Sequence, residues 1–223
     1  MFDQSISESI SRLAVAFVPV LLGIILHEIA HGWVALKRGD PTAWMLGRLT
    51  LNPVPHIDPM GTAMFVFTAM FTPFVFGWAK PVPVNPRYFR NPRKDMLLVS
   101  AAGPLTNITL ALLFGLALKL LLTFAPHDFL LCSPVGKYFL EMFQVGIIAN
   151  FSLAFVNLIP LPPLDGGHIL EGLLPRSIAN AYSSIGRYGF LILVVLLASG
   201  MFSSILTPLL RWSWNTTLLI YGI

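Results

Sequence analysis

The chain has 223 residues, 56% hydrophobic and only 11% charged, with a mean hydropathy of +0.76. A soluble domain carries about 25% charged residues, so this chain holds more apolar surface than one core of its size can bury, and most of it must face lipid. That excludes an ordinary soluble enzyme, a disordered chain and a nucleic-acid partner. The lone Cys132 excludes an intrachain disulfide framework, and the net charge of +4 reads as membrane topology.

A helix needs about 20 apolar residues to cross the hydrocarbon core. Four runs qualify: 13–36, 96–124, 138–161 and 188–210. Residues 1–12 carry Asp3, Glu8 and a single base, Arg12, where a signal peptide would be basic, so the first run is expected to stay as an uncleaved helix. It contains His27-Glu28-Ile29-Ala30-His31. Histidines four apart share one helical face and can hold one metal ion, and the glutamate beside the first can reach a metal-bound water. Ionisable residues inside a membrane helix are costly, which makes a functional reading the default.

Beyond this helix, 47–52 (Gly47-Arg-Leu-Thr-Leu-Asn52) alternates apolar and polar residues and stops at Pro53, the pattern of a short strand. Its edge residues Leu49, Thr50 and Leu51 are candidate contacts for an extended substrate. The apolar run 60–79 is flanked by bases on both sides: Lys37, Arg38 and Arg48 before it, Lys80, Arg87, Arg90, Arg93 and Lys94 after it. The positive-inside rule places both flanks in the cytoplasm, so 60–79 is expected to be re-entrant rather than a span. Prolines 81, 83 and 86 keep 80–86 out of any helix. His56 and Asp58 lie in a proline-studded loop and read as loop residues rather than a second metal site. The third run ends in Asn157-Leu-Ile-Pro-Leu-Pro-Pro-Leu-Asp-Gly-Gly167, where prolines break the helix and place Asp165 in a bend. A catalytic zinc takes three protein ligands and keeps one position open. Asp165 is the candidate third ligand; alone it could equally be a helix N-cap. Asn107 and Asn157 are buried-span amides, candidates either for helix–helix hydrogen bonds or for substrate and oxyanion contact.

These pieces resemble the site-2 protease family of intramembrane zinc metalloproteases. The likeness rests on His27-Glu28-x-x-His31 and Leu164-Asp165-Gly166, and extends to Gly47-Arg-Leu-Thr-Leu-Asn-Pro53, His56-Ile-Asp-Pro59, Ala79-Lys-Pro-Val-Pro-Val-Asn-Pro86 and Ala102-Gly-Pro-Leu-Thr-Asn107. They look like the compact prokaryotic branch, since the loop 125–137 is too short for the PDZ domain many members carry there. The resemblance implies an all-α polytopic membrane protein of about four transmembrane helices. A three-helix catalytic core is joined by a short cytoplasmic-side strand and re-entrant segment. The whole of 1–223 would be one integral-membrane domain, with its core over 13–175 and an accessory fourth span at 188–210. It implies one zinc ion per chain on His27, His31 and Asp165, with Glu28 as general base, near the cytoplasmic side of a prokaryotic cell membrane. The expected partners are the lipid bilayer and a transmembrane protein or peptide, cut to release a tethered regulator or to clear a signal-peptide remnant. A metal-binding transporter would need polar residues along a path across the bilayer, and these cluster toward one side. An inactive scaffold would have lost Glu28 or a ligand, and all are present.

Overall fold

The computed structural model describes residues 2–71, 77–184 and 186–223. Among them the chain is helical: α1 Phe2–Arg38, α2 Thr42–Met45, α3 Pro59–Phe71, α4 Pro92–Phe124, α5 His127–Cys132, α6 Pro134–Asn157, α7 Asp165–Leu173, α8 Arg176–Ser183, α9 Gly186–Ala198 and α10 Met201–Tyr221. Asparagine and serine start the long helices. Asn91 accepts from the Lys94 N–H and Ser133 from Val135 and Gly136, each followed by proline at the first helical position, where the missing N–H costs nothing.

Among the described residues three helices are long and apolar enough to cross a membrane: Ile10–Arg38 within α1, Pro92–Phe124 and Pro134–Asn157. Only 33%, 28% and 33% of their most apolar stretches are buried inside the protein. The remainder is an apolar exterior that only lipid can cover. These are the three helices expected to form the core. Helix α4 runs antiparallel to α1, since His31 meets Val99 while Gly23 meets Asn107. Helix α6 runs parallel to α1, with Tyr138 against Ala14 and Asn150 against Pro19. Ala111, Phe114, Leu118, Ile147 and Phe151 form an apolar core in one half of the bundle, and Ala35, Phe89 and Val99 a smaller one at the other end. Asn107 and Asn150 lie between them, both fully buried.

Two expectations need correction. The fourth span, 188–210, is not continuous: α9 ends at Ala198 and α10 starts after Gly200, whose φ of 73° is left-handed. Glycine alone adopts that conformation without penalty, and it ends the helix whatever the hydropathy around it. Helix α10 then packs on α4, where the Tyr221 hydroxyl donates to the Leu112 carbonyl at 2.9 Å. The strand at 47–52 is also absent. Gly47 turns at φ 65°, the Arg48 N–H closes back on the Ala43 carbonyl at 2.9 Å, and Thr50 and Asn52 side chains take the N–H groups of Asn52 and Val54. Short polar side chains compete for the backbone, and no strand among the described residues offers a ladder.

The run 60–79 contains α3 and then 72–76, which lies outside the described residues. At 1.5 Å per residue the described part of this run, α3, is about 20 Å long. The chain leaves and returns to one place, because the Lys80 N–H donates to the His56 carbonyl at 2.9 Å.

Candidate metal centre and active site

His27 and His31 stand on the face of α1 that meets α4, four residues apart and therefore one above the other. Gly103 of α4 makes room for them. A Cβ there would come within 2.5 Å of His27 Cε1 and His31 Nε2. Each imidazole is held by its inner nitrogen. His31 Nδ1 lies 2.7 Å from the Val99 carbonyl, which can only accept, so that nitrogen carries the hydrogen. His27 Nδ1 lies 2.6 Å from Asn107 Oδ1. The Asn107 amide orientation is set by its other end, which donates to the Gly23 carbonyl at 3.1 Å and to Asn150 Oδ1 at 3.0 Å. Asn150 in turn donates to the Gly146 carbonyl at 2.9 Å. With both Nδ1 atoms protonated, both Nε2 lone pairs are left facing one another.

The third donor comes from the far side of the α6–α7 turn. Prolines 160, 162 and 163 end α6, and Gly166 and Gly167 let α7 begin against them: a Cβ on Gly166 would collide with the Leu158 and Ile159 carbonyls, and one on Gly167 would reach 2.5 Å from Pro162 N. Leu164 is the N-cap of α7 and Asp165 its first residue, with no side-chain capping bond. The capping alternative for Asp165 is thereby set aside. The Arg93 guanidinium donates to the Glu171 carbonyl at 2.7 Å and to the Leu174 carbonyl, fastening α7 to the start of α4.

Asp165 Oδ2 lies 3.2 Å from His27 Nε2 and 3.3 Å from His31 Nε2, and the two Nε2 atoms are 2.9 Å apart. Three donors at about 2.0–2.1 Å from one tetrahedral ion stand about 3.3 Å from each other. Oδ2 is buried and meets no donor in hydrogen-bonding geometry. Three lone-pair atoms turned inward with no hydrogen between them fit a divalent cation, and two imidazoles with a carboxylate are a zinc donor set that keeps one position open.

The cluster opens on a cavity of about 340 Å³ whose walls include Glu28, Ser100, Asn157 and His168. Facing α1 across it is the proline strap: Pro81, Val82 and Val84 form that wall. The Val82 N–H donates to Glu28 Oε2 at 2.6 Å. Since Pro81 and Pro83 have no N–H, Val82 is the one donor among residues 81–83. Asp40 and Arg48 clamp the strap. Asp40, fully buried, accepts from Asn85 N at 2.6 Å and from the Thr42 N–H and hydroxyl at 3.0 and 2.5 Å, while Arg48 donates to the Lys80 carbonyl at 2.7 Å. Sequence reasoning did not single out these two. The available signal was a charged residue next to a left-handed glycine at each place, Gly39–Asp40 and Gly47–Arg48.

The structure thus brings together His27, Glu28, His31, Asp165 and Asn157. It does not bring Asn107 to the cavity. That side chain is 0% exposed and spends both ends of its amide on His27, Gly23 and Asn150, so the substrate-contact expectation is corrected in favour of the helix–helix bond. Leu49, Thr50 and Leu51 are absent from the cavity wall. Leu49 packs at Gly32, the Thr50 carbonyl is 3.0 Å from His56 Nε2, and Leu51 is exposed.

A buried His-His-Asp donor set with a glutamate at its side, on helices sheathed in apolar surface, defines a membrane-embedded metalloprotease class. The family model described as Peptidase family M50 matches residues 133–197, which hold Asn157, Asp165 and the turn between them. The chain is similar to YwhC of Bacillus subtilis, provisionally named a zinc metalloprotease, with 36% identity over 220 residues, covering 99% of this chain and 96% of that one. Rip2 of Mycolicibacterium smegmatis, under the same provisional description, is 31% identical over 87% of this chain and 71% of its own. A third such relative, MJ0611 of Methanocaldococcus jannaschii, is 29% identical over 73% of this chain and 72% of its own. No solved structure matches the chain significantly. The protein belongs to peptidase family M50, the site-2 protease family, and is a zinc metalloprotease.

Proposed function

We propose that this protein is an intramembrane endopeptidase that cuts transmembrane segments of other membrane proteins. The observation that carries this reading is the convergence of His27, His31 and Asp165 beside Glu28, between helices whose outer faces are apolar. His27, His31 and Asp165 hold one zinc ion per chain, which when bound supplies a Lewis acid to polarise the scissile carbonyl. Glu28 takes the proton of the attacking water and passes it to the departing amine nitrogen. The Val82 N–H fixes one carboxylate oxygen of Glu28, leaving the other for the proton. Asn157, whose amide also donates to the Leu153 carbonyl at 2.9 Å, holds the substrate backbone at the opposite wall. The proline-bearing strap adds rigidity there, since prolines have little freedom to lose.

The site faces the cytoplasmic side. Lys37 and Arg38 end α1 ten residues beyond His27, or roughly 15 Å along the helix, and Lys80, Arg87, Arg90, Arg93 and Lys94 gather beyond the strap. The hydrogen bond between Lys80 and His56 supports a re-entrant path for 60–79. The substrate is a single-span protein, either a tethered regulator or a signal-peptide remnant.

Purified protein in vesicles tests the reading with two variants. Asp165→Ala should lose both zinc and cleavage of a reconstituted single-span substrate. Glu28→Gln should keep zinc, measured by elemental mass spectrometry, while turnover falls by orders of magnitude. Substantial turnover by Glu28→Gln removes Glu28 from the reaction.

A further inference from the structure

A second cavity, of about 190 Å³, lies next to the first and has no part in the chemistry described so far. One wall is α1, through Phe17, Leu21 and Ile24; the other includes Phe65, Trp78 and Ala79. Positions 17, 21, 24 and 28 follow the three- and four-residue spacing of one helical stripe, so the apolar wall leads directly to Glu28. The opposite wall is continuous too: Trp78 and Ala79 line the apolar cavity, and Pro81 and Val82, immediately after them, line the site. The two cavities thus adjoin along both walls. The wall opposite α1 is tightly packed within itself: a Cβ on Gly61 would meet the Trp78 carbonyl, and one on Gly77 would stand 2.7 Å from Phe65 Cβ. Such contacts cannot yield cheaply, so that wall keeps its shape.

His56, Asp58 and Thr62 are the polar side chains on this lining, and Asp58 already accepts the Gly61 N–H at 2.8 Å. His56 is only 2% exposed. Its Nε2 lies 3.0 Å from the Thr50 carbonyl and must be the protonated nitrogen. Its Nδ1 is therefore an acceptor, and it is buried without a partner. That atom has no open surface toward the cavity, whose lining is mostly apolar. The complementary ligand is a large apolar group. A membrane segment held for cleavage at Glu28 presents one in its side chains, at the end of the stripe that leads to that residue.

We propose that this compartment is a specificity subsite: it takes a large apolar side chain of the substrate beside the scissile bond. The proposal rests on the endopeptidase reading. The test uses full-length protein in vesicles with single-span peptides carrying Ala, Leu, Phe or Trp at each position around the cut. In the wild type, Leu or Phe at one position should be cut at least tenfold faster than Ala. Leu21→Trp, which fills the compartment, should erase that preference with zinc retained, and Leu21→Ala should shift it toward Trp. In parallel, a photoreactive residue at Ile24 in the Glu28→Gln protein should crosslink to the peptide, and Leu21→Trp should abolish the crosslink.

Wild-type cleavage with the same preference in all Leu21 variants overturns the subsite and leaves the protease reading standing. Crosslinking that Leu21→Trp abolishes, with no cleavage by the wild type, supports the subsite as a docking site and sinks the endopeptidase reading. Neither cleavage nor crosslinking overturns both. Recovery of a tightly held lipid in the compartment, with cleavage indifferent to its removal, also overturns the subsite.

Discussion

Helix α1 has two sides built in different ways. Toward α4 and α6 it meets other helices, and the inner imidazole nitrogens and the Asn107 amide are fixed by partners on long, regular elements: His31 by Val99, His27 by Asn107, Asn107 by Gly23 and Asn150. Toward the strap it meets irregular chain, held by a few bonds from Asp40, Arg48 and Glu28 to N–H and carbonyl groups between prolines. The first side places metal ligands, which need fixed directions. The second borders the site cavity, where an extended substrate must find room. Irregular backbone at membrane depth survives only where protein or a watery cavity covers it, and that cavity is the site itself.

The contrast predicts that damage to the first side removes metal and activity together, while damage to the second removes activity and spares the metal. The largest effect should follow Gly103→Val. Even a Cβ would stand 2.5 Å from both imidazoles, so the ligands must move; zinc content by elemental mass spectrometry should fall to background and cleavage with it. Next is Asn107→Ala, which frees the His27 ring and leaves its Nδ1 unpaired. Loss of such an outer partner lowers metal affinity about 10–100-fold, readable by chelator competition. Asp40→Ala tests the other side. The Asn85 and Thr42 N–H groups lose their acceptor at about 1–3 kcal/mol each, the strap loosens, and turnover should drop about tenfold or more with zinc unchanged; zinc loss in parallel would erase the distinction between the two sides. The smallest effect belongs to Asn150→Ala, because Asn107 keeps its bond to Gly23. A thermal-shift series should show a loss of about 1 kcal/mol and chelator competition only a few-fold change in affinity.

Much of the metal half was legible in the chain because it depends on local periodicity. His27 and His31 share a face wherever those residues are helical, and proline with glycine around Asp165 marks a break whatever surrounds it. Length and hydropathy alone gave four runs, of which three are helices long enough to span among the described residues, and the family resemblance picked those three as the core. The substrate half was less legible. Alternation at 47–52 resembles a strand, but a strand exists only when a neighbour completes its ladder, and here Thr50 and Asn52 took those N–H groups locally. Hydropathy over 188–210 was blind to the left-handed Gly200 that splits it.

The residue types at 27, 28, 31 and 165, and the apolar runs that carry them into a membrane, were decided by the sequence itself, since a donor set and a hydrophobic length are properties of composition and spacing. Only the tertiary structure decided what Asn107, Asp40 and His56 do. Each is a polar side chain far along the chain from what it touches or serves: Asn107 reaches His27 because α4 runs antiparallel to α1, Asp40 reaches Asn85 because the chain between them leaves and returns, and His56 faces a cavity that exists only once that return is made. A polar group's role is set by which partner its burial leaves within about 3 Å, and that is a property of packing, which no local pattern encodes.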